Sequence, residues 1–173
     1  ILLGLVGSEM CIRDRTLNYH VEITATPQRV WSVLTDVELY KRWAQAFSPQ
    51  SQFDGAWEEG CDMTFFDPDM GGTRAIIDTV QPLQKLEFHH VAIFNPDNRQ
   101  QLDGDLASKW IGSREIYQID TLDDRLLLSI TIHTHSDFVS MFNHGWEKAL
   151  PLIKTISEES VSYTHLTLPT IRE

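Results

Sequence analysis

The first clear pattern in the chain is an alternation of apolar and polar residues in LNYHVEI, residues 17–23. Alternate side chains of an extended chain point to opposite sides, so one side of this segment is apolar and the other polar. The apolar side consists of Leu17, Tyr19, Val21 and Ile23. The pattern predicts a β-strand that is buried on one face.

Two short helices are predicted after this strand. Thr26 is a favourable N-cap, and Pro27 at the first helical position sacrifices no hydrogen bond. Asp36 is placed to cap the second helix, VELYKRWAQAF, which Ser48-Pro49 ends. The apolar residues at helical spacing in the second helix are Val37, Tyr40 and Trp43.

The middle of the chain predicts a series of strands. Turn signals such as Glu59-Gly60 and Gln81-Pro82 separate six further strand-like runs. The runs are SQFDGAW, CDMTFF, TRAIIDTV, KLEFHHVAIF, SREIYQIDTL and RLLLSITIHTH. Residues 95–109, NPDNRQQLDGDLASK, are polar without a sustained period, and they predict a long loop of the kind that often has a function.

A long amphipathic helix is predicted over DFVSMFNHGWEKALPLIKTISEE, which has a broad apolar stripe. Pro151 lies inside this pattern and predicts either a kink near the preceding turn or a helix that starts late, near Asn143. The order of elements is therefore one strand, two helices, six strands and one long helix. This order predicts an α+β fold with a single curved antiparallel sheet of about seven strands and the long C-terminal helix packed across it.

The composition adds a strong negative charge to this picture. The chain has 14 Lys and Arg against 25 Asp and Glu, for a net charge of −11. Such a charge repels phosphate backbones and anionic lipids, so we expect no nucleic-acid partner and no membrane insertion. Cys61 is the one cysteine between residues 16 and 160, which excludes an intrachain disulfide there and favours a cytoplasmic location.

The two ends of the chain fit none of these patterns. A DNA word that encodes Met10–Asp14 has a reverse complement that reads, in frame, as Val161–His165. That word resembles the end sequence of adapters used to build sequencing libraries. We therefore expect residues 1–15 and 161–173 to be translated adapter, and residues 16–160 to form one domain.

The ordered motifs resemble the START-like (SRPBCC) superfamily, which has the helix-grip fold. Within it they are most similar to the bacterial branch homologous to the C-terminal domain of the activator of heat-shock chaperone (Hsp) ATPase. The motifs are ATPQRVWSVLTDVELYKRW, the W-x-x-G of Trp57–Gly60, TVQPLQKLEFHH and the GWEKALPLI of Gly145–Ile153. The resemblance covers essentially all of residues 16–160 and implies a sheet wrapped around the long helix, with function in the cavity between them.

Three functions follow from this resemblance. The first is the binding of a small hydrophobic or amphipathic ligand in the cavity, with no cofactor. The second is a cyclase- or hydrolase-like enzyme that uses acid–base residues of the cavity. The third is a module that binds a chaperone, and contacts with a chaperone or a second copy of the chain are expected partners under that interpretation.

Strand alternation predicts which side chains face the cavity. The resulting wall is apolar with a few polar groups, as is usual for small-molecule sites. Its predicted residues are Met63, Phe65, Phe88, His90, Ala92, Glu115, Tyr117, Ile119, Ile130, Phe142 and Trp146. The predicted cavity mouth consists of Trp43, Phe47 and Trp110, because amphipathic rings suit a boundary between protein and water.

The candidates for chemistry are His90 and Glu115, with Tyr117 beside them. A histidine and a carboxylate in a poorly solvated cavity can share a proton, as general acid–base catalysis requires. The alternative is structural, with His90 bonded to a neighbouring strand and Glu115 in water at the mouth. His133 and His135 lie two residues apart on one strand, but a third metal ligand at a suitable spacing is lacking, so no metal site is predicted.

Overall fold

The computed structural model describes residues 15–97 and 100–159, and it follows the backbone of the last helix as far as Ile171. The described part contains a seven-stranded antiparallel sheet in the order β1-β7-β6-β5-β4-β3-β2. The strands are β1 (Arg15–Ile23), β2 (Gln52–Gly55), β3 (Asp62–Asp67), β4 (Gly71–Gln81), β5 (Lys85–Phe94), β6 (Arg114–Thr121) and β7 (Leu126–Thr134). The helices are α1 (Pro27–Thr35), α2 (Val37–Ala44), α3 (Asp105–Trp110) and α4 (Val139–Ile171).

The predicted helix starts are confirmed by their caps. The Thr26 hydroxyl accepts a hydrogen bond from the backbone N–H of Arg29 at 3.1 Å, and Pro27 is the first residue of α1. The Asp36 carboxylate accepts from the N–H groups of Glu38 and Leu39 at 2.9 and 3.2 Å. Each cap satisfies N–H groups that the first turn of a helix leaves unpaired.

Burial alternates along the strands with the predicted phase. Every second residue of β5 is buried, from Leu86 to Phe94, and β7 shows the same alternation from Leu126 to Thr134. The buried side of the sheet faces α4, whose residues Phe142, Trp146, Ala149, Ile153 and Ile156 are also buried. The predicted architecture, a curved sheet around one long helix, is confirmed.

Polar contacts join helix α4 to β1 and to α2. The Tyr19 hydroxyl donates to Oδ1 of Asn143 at 2.5 Å, and Lys154 donates to the backbone carbonyl of Glu22 at 3.1 Å. Nearer the end of the described side chains, Arg42 of α2 pairs with Glu159 at 2.6 Å. These contacts supplement the apolar packing of α4 on the sheet.

The start of α4 corrects one sequence-based expectation. A single 3-10 turn, Ser136–Phe138, leads into the helix, which begins at Val139 and not near Asn143. Helical backbone continues across Pro151, whose side chain is exposed. The missing N–H of a proline matters less where its ring faces solvent and the helix is held on its other side by packing.

The connection between β5 and β6 also differs from the prediction of a structureless loop. Phe94 pairs with Gln101 in an isolated bridge, and the six-residue helix α3 follows. Ala107 and Trp110 are the buried residues of α3. A helix of fewer than two turns offers too few residues for a period to be visible in the sequence.

The adapter interpretation of the chain ends stays a prediction. Residues 1–14, 172 and 173 lie outside the described residues. Arg15, which that interpretation included, is the first residue of β1 and lies opposite Thr134. No helix among the described residues has the length and apolarity needed to cross a membrane.

Candidate functional site

A cavity of about 210 Å³ lies between the inner face of the sheet, α2 and the first turns of α4. It is larger than the roughly 150 Å³ apolar cavity that holds a benzene molecule in an engineered protein. Its wall is mostly aromatic, and it is formed by Tyr40, Trp43, Phe47, Phe65, Phe66, Phe88, Trp110, Tyr117, Phe142 and Trp146. The space suits a molecule with one ring or a short chain.

Gly145 controls how closely the α2–β2 loop approaches α4. A Cβ atom at this position would lie 2.1 Å from Cε1 of Phe47. Since carbon atoms cannot approach so closely, only glycine lets the Phe47 ring pack against the helix here. The ring of Phe47 in turn contacts Trp146, with centroids 5.3 Å apart.

The polar part of the wall centres on His90 and Glu115. Alternation in β5 and β6 turns both side chains inward, and Nε2 of His90 lies 2.7 Å from Oε2 of Glu115. The two side chains are 2% and 9% exposed. The backbone of His90 is fixed by hydrogen bonds with Ser113 and Gly112, both at 2.8 Å.

The Thr73 hydroxyl is the polar neighbour of Nδ1 of His90, at 2.9 Å. This hydroxyl has one proton to donate and two lone pairs. It accepts from Nε1 of Trp110 at 2.8 Å and lies 3.0 Å from the carbonyl of Ala92. When its proton goes to Ala92, Nδ1 of His90 is the donor to Thr73.

In that arrangement one proton is left for the short contact between His90 and Glu115, bound either to Nε2 or to Oε2. A pair in this state can give a proton to a bound molecule or take one from it.

Two tyrosines approach the same carboxylate. The Tyr117 hydroxyl donates to Oε1 of Glu115 at 3.1 Å. Burial, and then the negative charge of Glu115, raise the pKa of the Tyr117 phenol well above its ordinary value. Burial and Glu115 also raise the pKa of Tyr40. Both phenols therefore stay protonated at neutral pH.

Asp67 is a buried carboxylate at the edge of the cavity. Burial alone would raise its pKa, but hydrogen bonds from the backbone N–H groups of Asp69 and Gln50, and from the Ser48 hydroxyl, lower the pKa on balance. The two backbone bonds are each 2.9 Å long. Asp67 thus ties the α2–β2 loop to the β3–β4 turn and keeps its charge.

Solved structures with the same arrangement of strands and helices were found at low sequence identity. The Aha1 dimer from Colwellia psychrerythraea has a TM-score of 0.63 at 20% identity, covering 83% of this chain and 96% of that one. CalU16 from Micromonospora echinospora has a TM-score of 0.59 at 21% identity, covering 86% and 80%. MLL2253 from Mesorhizobium loti has a TM-score of 0.66 at 14% identity, covering 84% and 98%.

The chain has the START-like helix-grip fold. Identities this low show the shared fold and leave activity open. No protein-family model and no curated protein matches the chain.

Most residues that the sequence placed in the cavity of the START-like fold do line it. They are Phe65, Phe88, His90, Glu115, Tyr117, Phe142 and Trp146. Met63, Ala92, Ile119 and Ile130 are buried but are not part of the cavity wall. Alternation places a residue on the inner face of the sheet, but which parts of that face are covered by other side chains depends on the packing.

The predicted mouth requires a correction. Phe47 is half-buried, whereas Trp43 and Trp110 are buried within the wall. Their indole N–H groups do not need water, because Trp43 donates to the carbonyl of Val33 at 2.8 Å and Trp110 donates to Thr73. The Trp110 ring instead covers His90, with centroids 4.5 Å apart.

Several lining residues of the cavity were not singled out in the sequence, among them Tyr40, Thr73 and Asp67. The sequence positions of Tyr40 and Thr73 place both side chains on the inner side of the fold. Tyr40 shares a helix face with Trp43, and Thr73 shares a strand face with Ala75. Asp67 lies in a segment, DPDMGG, that reads as a turn. Polar residues at inward phases were the available signal for Tyr40 and Thr73.

The two other candidate histidines, His133 and His135, are not part of the cavity wall. Nδ1 of His133 lies 3.1 Å from the Thr16 hydroxyl, and Nδ1 of His135 accepts from the backbone N–H of Asp137 at 2.9 Å. Among residues 15–97 and 100–159, no group of three His, Cys, Asp or Glu side chains is placed to hold a metal ion.

Proposed function

We propose that the chain binds a small, mainly apolar molecule of about one ring in its central cavity. The observation that carries the proposal is the aromatic cavity itself, with an acid–base pair at one wall. Cavities of this make-up are typical ligand sites. The size favours a compact molecule over a long lipid.

The proposal can be tested with isopropylbenzene as a probe. A ligand that binds only the folded state raises the melting temperature with concentration. We expect saturable binding by calorimetry, a higher melting temperature and a change in tryptophan fluorescence, since Trp43, Trp110 and Trp146 line the cavity.

A matched pair of substitutions locates the binding site. Ala44 and Ala149 are both buried helix residues, but only Ala44 lines the cavity. Ala44→Leu should abolish binding with little loss of stability. Ala149→Leu overpacks the core, so it should cost about 1–3 kcal/mol and leave binding by the folded protein intact. Binding that survives Ala44→Leu would place the ligand elsewhere.

Proton transfer to or from the bound molecule is a second candidate function. The distance of 2.7 Å between Nε2 of His90 and Oε2 of Glu115 supports it, because an acid and a base in contact can pass a proton to a bound molecule. In deuterated water, removal of a methyl proton from bound acetophenone moves the C–H electron pair toward the carbonyl oxygen, and return of a deuteron exchanges the methyl group. We expect exchange faster than in buffer, measured by NMR, and its loss in Glu115→Gln. Binding without exchange would leave the ligand-binding function alone.

The chaperone-binding alternative and a cytoplasmic location remain proposals. The solved Aha1 structure is a dimer, and at 20% identity it supports a self-association experiment for this chain. Sedimentation of the purified protein would provide that test.

A further inference from the structure

We propose that the Tyr40 hydroxyl is the hydrogen-bond donor that recognises the ligand, and that the ligand is an uncharged one-ring compound with an acceptor oxygen, such as a carbonyl. This inference rests on the proposed binding function. It adds the chemical class of the ligand and a specificity-determining residue.

The Tyr40 ring is held rigidly at the cavity wall. It packs edge-on against Trp43 and Phe53, with centroids 4.7 and 4.9 Å apart. Its hydroxyl makes no hydrogen bond to any described residue, although the ring lines the cavity. Because the phenol stays protonated, it presents an O–H group without an acceptor to a poorly solvated space.

The other aromatic and imidazole donors of the wall that reach the cavity surface already have acceptors within the protein. Tyr117 donates to Glu115, and the indole groups of Trp43 and Trp110 donate to Val33 and Thr73. Nδ1 of His90 lies 2.9 Å from the Thr73 hydroxyl. Nε1 of Trp146 has no acceptor, but this atom is fully buried. The Ser48 and Ser51 hydroxyls bond to each other, and the Gln52 amide donates to the carbonyl of Gln50. Tyr40 is therefore the aromatic donor left for a ligand oxygen.

The charges of the wall favour an uncharged ligand. The cavity lining contains no Lys or Arg, so a bound anion would have no counter-charge. Glu115 already lies 2.7 Å from His90 and accepts from Tyr117, and the oxygens of Asp67 already accept hydrogen bonds from the α2–β2 loop and the β3–β4 turn. A cation would therefore lose its hydration without gaining a free carboxylate.

Four probes that share a benzene ring test this chemistry. Acetophenone and isopropylbenzene share one heavy-atom skeleton, in which a carbonyl oxygen takes the place of a methyl group, while benzoate is an anion and benzylamine a cation. By calorimetry at neutral pH we expect acetophenone to bind about ten-fold more tightly than isopropylbenzene, the effect of one hydrogen bond. Benzoate and benzylamine should bind more weakly than either.

A matched pair of variants assigns the effect to one hydroxyl. Tyr40→Phe should remove the preference for acetophenone over isopropylbenzene, because the ring remains and only the donor is lost. Tyr19→Phe is the control, because the Tyr19 hydroxyl bonds to Asn143 outside the cavity lining. It should keep the full preference.

The possible outcomes separate this inference from the proposed function. Equal binding of acetophenone and isopropylbenzene, or a preference that survives Tyr40→Phe, would overturn the role of Tyr40 and keep the binding function. Tightest binding of benzoate or benzylamine would overturn the uncharged ligand class. If none of the four probes binds, the binding function and this inference both fail.

Discussion

His89 and His90 are neighbours in β5, yet they lie in two different chemical environments. His89 points outward, where Nδ1 lies 2.8 Å from Oδ2 of Asp78, and the two side chains are 30% and 26% exposed. Arg114 joins this outer cluster at 3.0 Å from the same carboxylate oxygen. His90 points inward to Glu115 at 2.7 Å, and that pair is almost completely buried.

The comparison shows that burial, and not distance, distinguishes the two histidine–carboxylate pairs. Solvent screens the charge of the outer pair, and Arg114 also pairs with Asp78. The polar neighbours of the inner pair include Thr73, Trp110 and Tyr117, which are themselves buried or half-buried. We expect the inner pair to matter for both stability and ligand chemistry, and the outer pair for neither to a comparable degree.

The largest loss of stability should come from removing the ring of Trp146, which α4 places against the inner face of the sheet. Trp146 is 1% exposed and contacts the rings of Tyr19, Trp43, Phe47 and Tyr117. Trp146→Ala should lower the free energy of unfolding by about 3–5 kcal/mol. Denaturant unfolding measures this, and Trp31→Ala, at a half-buried tryptophan of α1, should cost less. A loss below about 1 kcal/mol at Trp146 would contradict its place in the core.

Neutral replacements of the two carboxylates compare the pairs directly. Glu115→Gln should cost about 1–3 kcal/mol, because a buried hydrogen bond between a carboxyl and an imidazole becomes a weaker one between an amide and an imidazole. Asp78→Asn should cost less than about 1 kcal/mol, as is usual for exposed ion pairs. Equal losses of unfolding free energy in the two variants would show that burial does not separate the two histidine–carboxylate pairs in energy.

Acid should weaken the fold through carboxylates such as Asp67. Since the folded state lowers the pKa of Asp67, its contribution is present above the unfolded pKa of about 4 and is lost as pH falls through the folded pKa. We expect a melting temperature that is steady near neutral pH and falls by a few degrees or more below about pH 4. Asp67→Asn should lower the melting temperature at neutral pH and make the melting temperature depend less on pH below about pH 4. An unchanged acid profile in that variant would assign the effect to other carboxylates.

The smallest effect should follow removal of both chain ends. The described contacts between α4 and the rest of the chain are made by residues up to Glu159, including its ion pair with Arg42. A chain of residues 16–160 should therefore melt at the same temperature as the full chain. A fall of several degrees would mean that Arg15 or the last turns of α4 contribute to stability, against the adapter interpretation.

The inner face of the sheet was predictable residue by residue, whereas the shape of the cavity was not. Alternation in β5 and β6 placed His90 and Glu115 on one side, and the structure brings them together. The same reasoning placed Ala92 and Ile130 in the cavity, where they are not, and put Trp43 at the mouth, where it is buried. Strand periodicity reports which way a side chain points, but not what packs on top of it.

The sequence by itself determined the order of elements, the helix caps and the inward phase of the polar candidates, because these depend on contacts within a few residues along the chain. Only the tertiary structure decided that Thr73 and Trp110 lie against His90, and that the Tyr40 hydroxyl makes no hydrogen bond to a described residue. These groups come from β4, α3, β5 and α2, which are separated by tens of residues. Their hydrogen bonds depend on strand register and helix packing to within about an ångström, and no local pattern in the sequence encodes such distances.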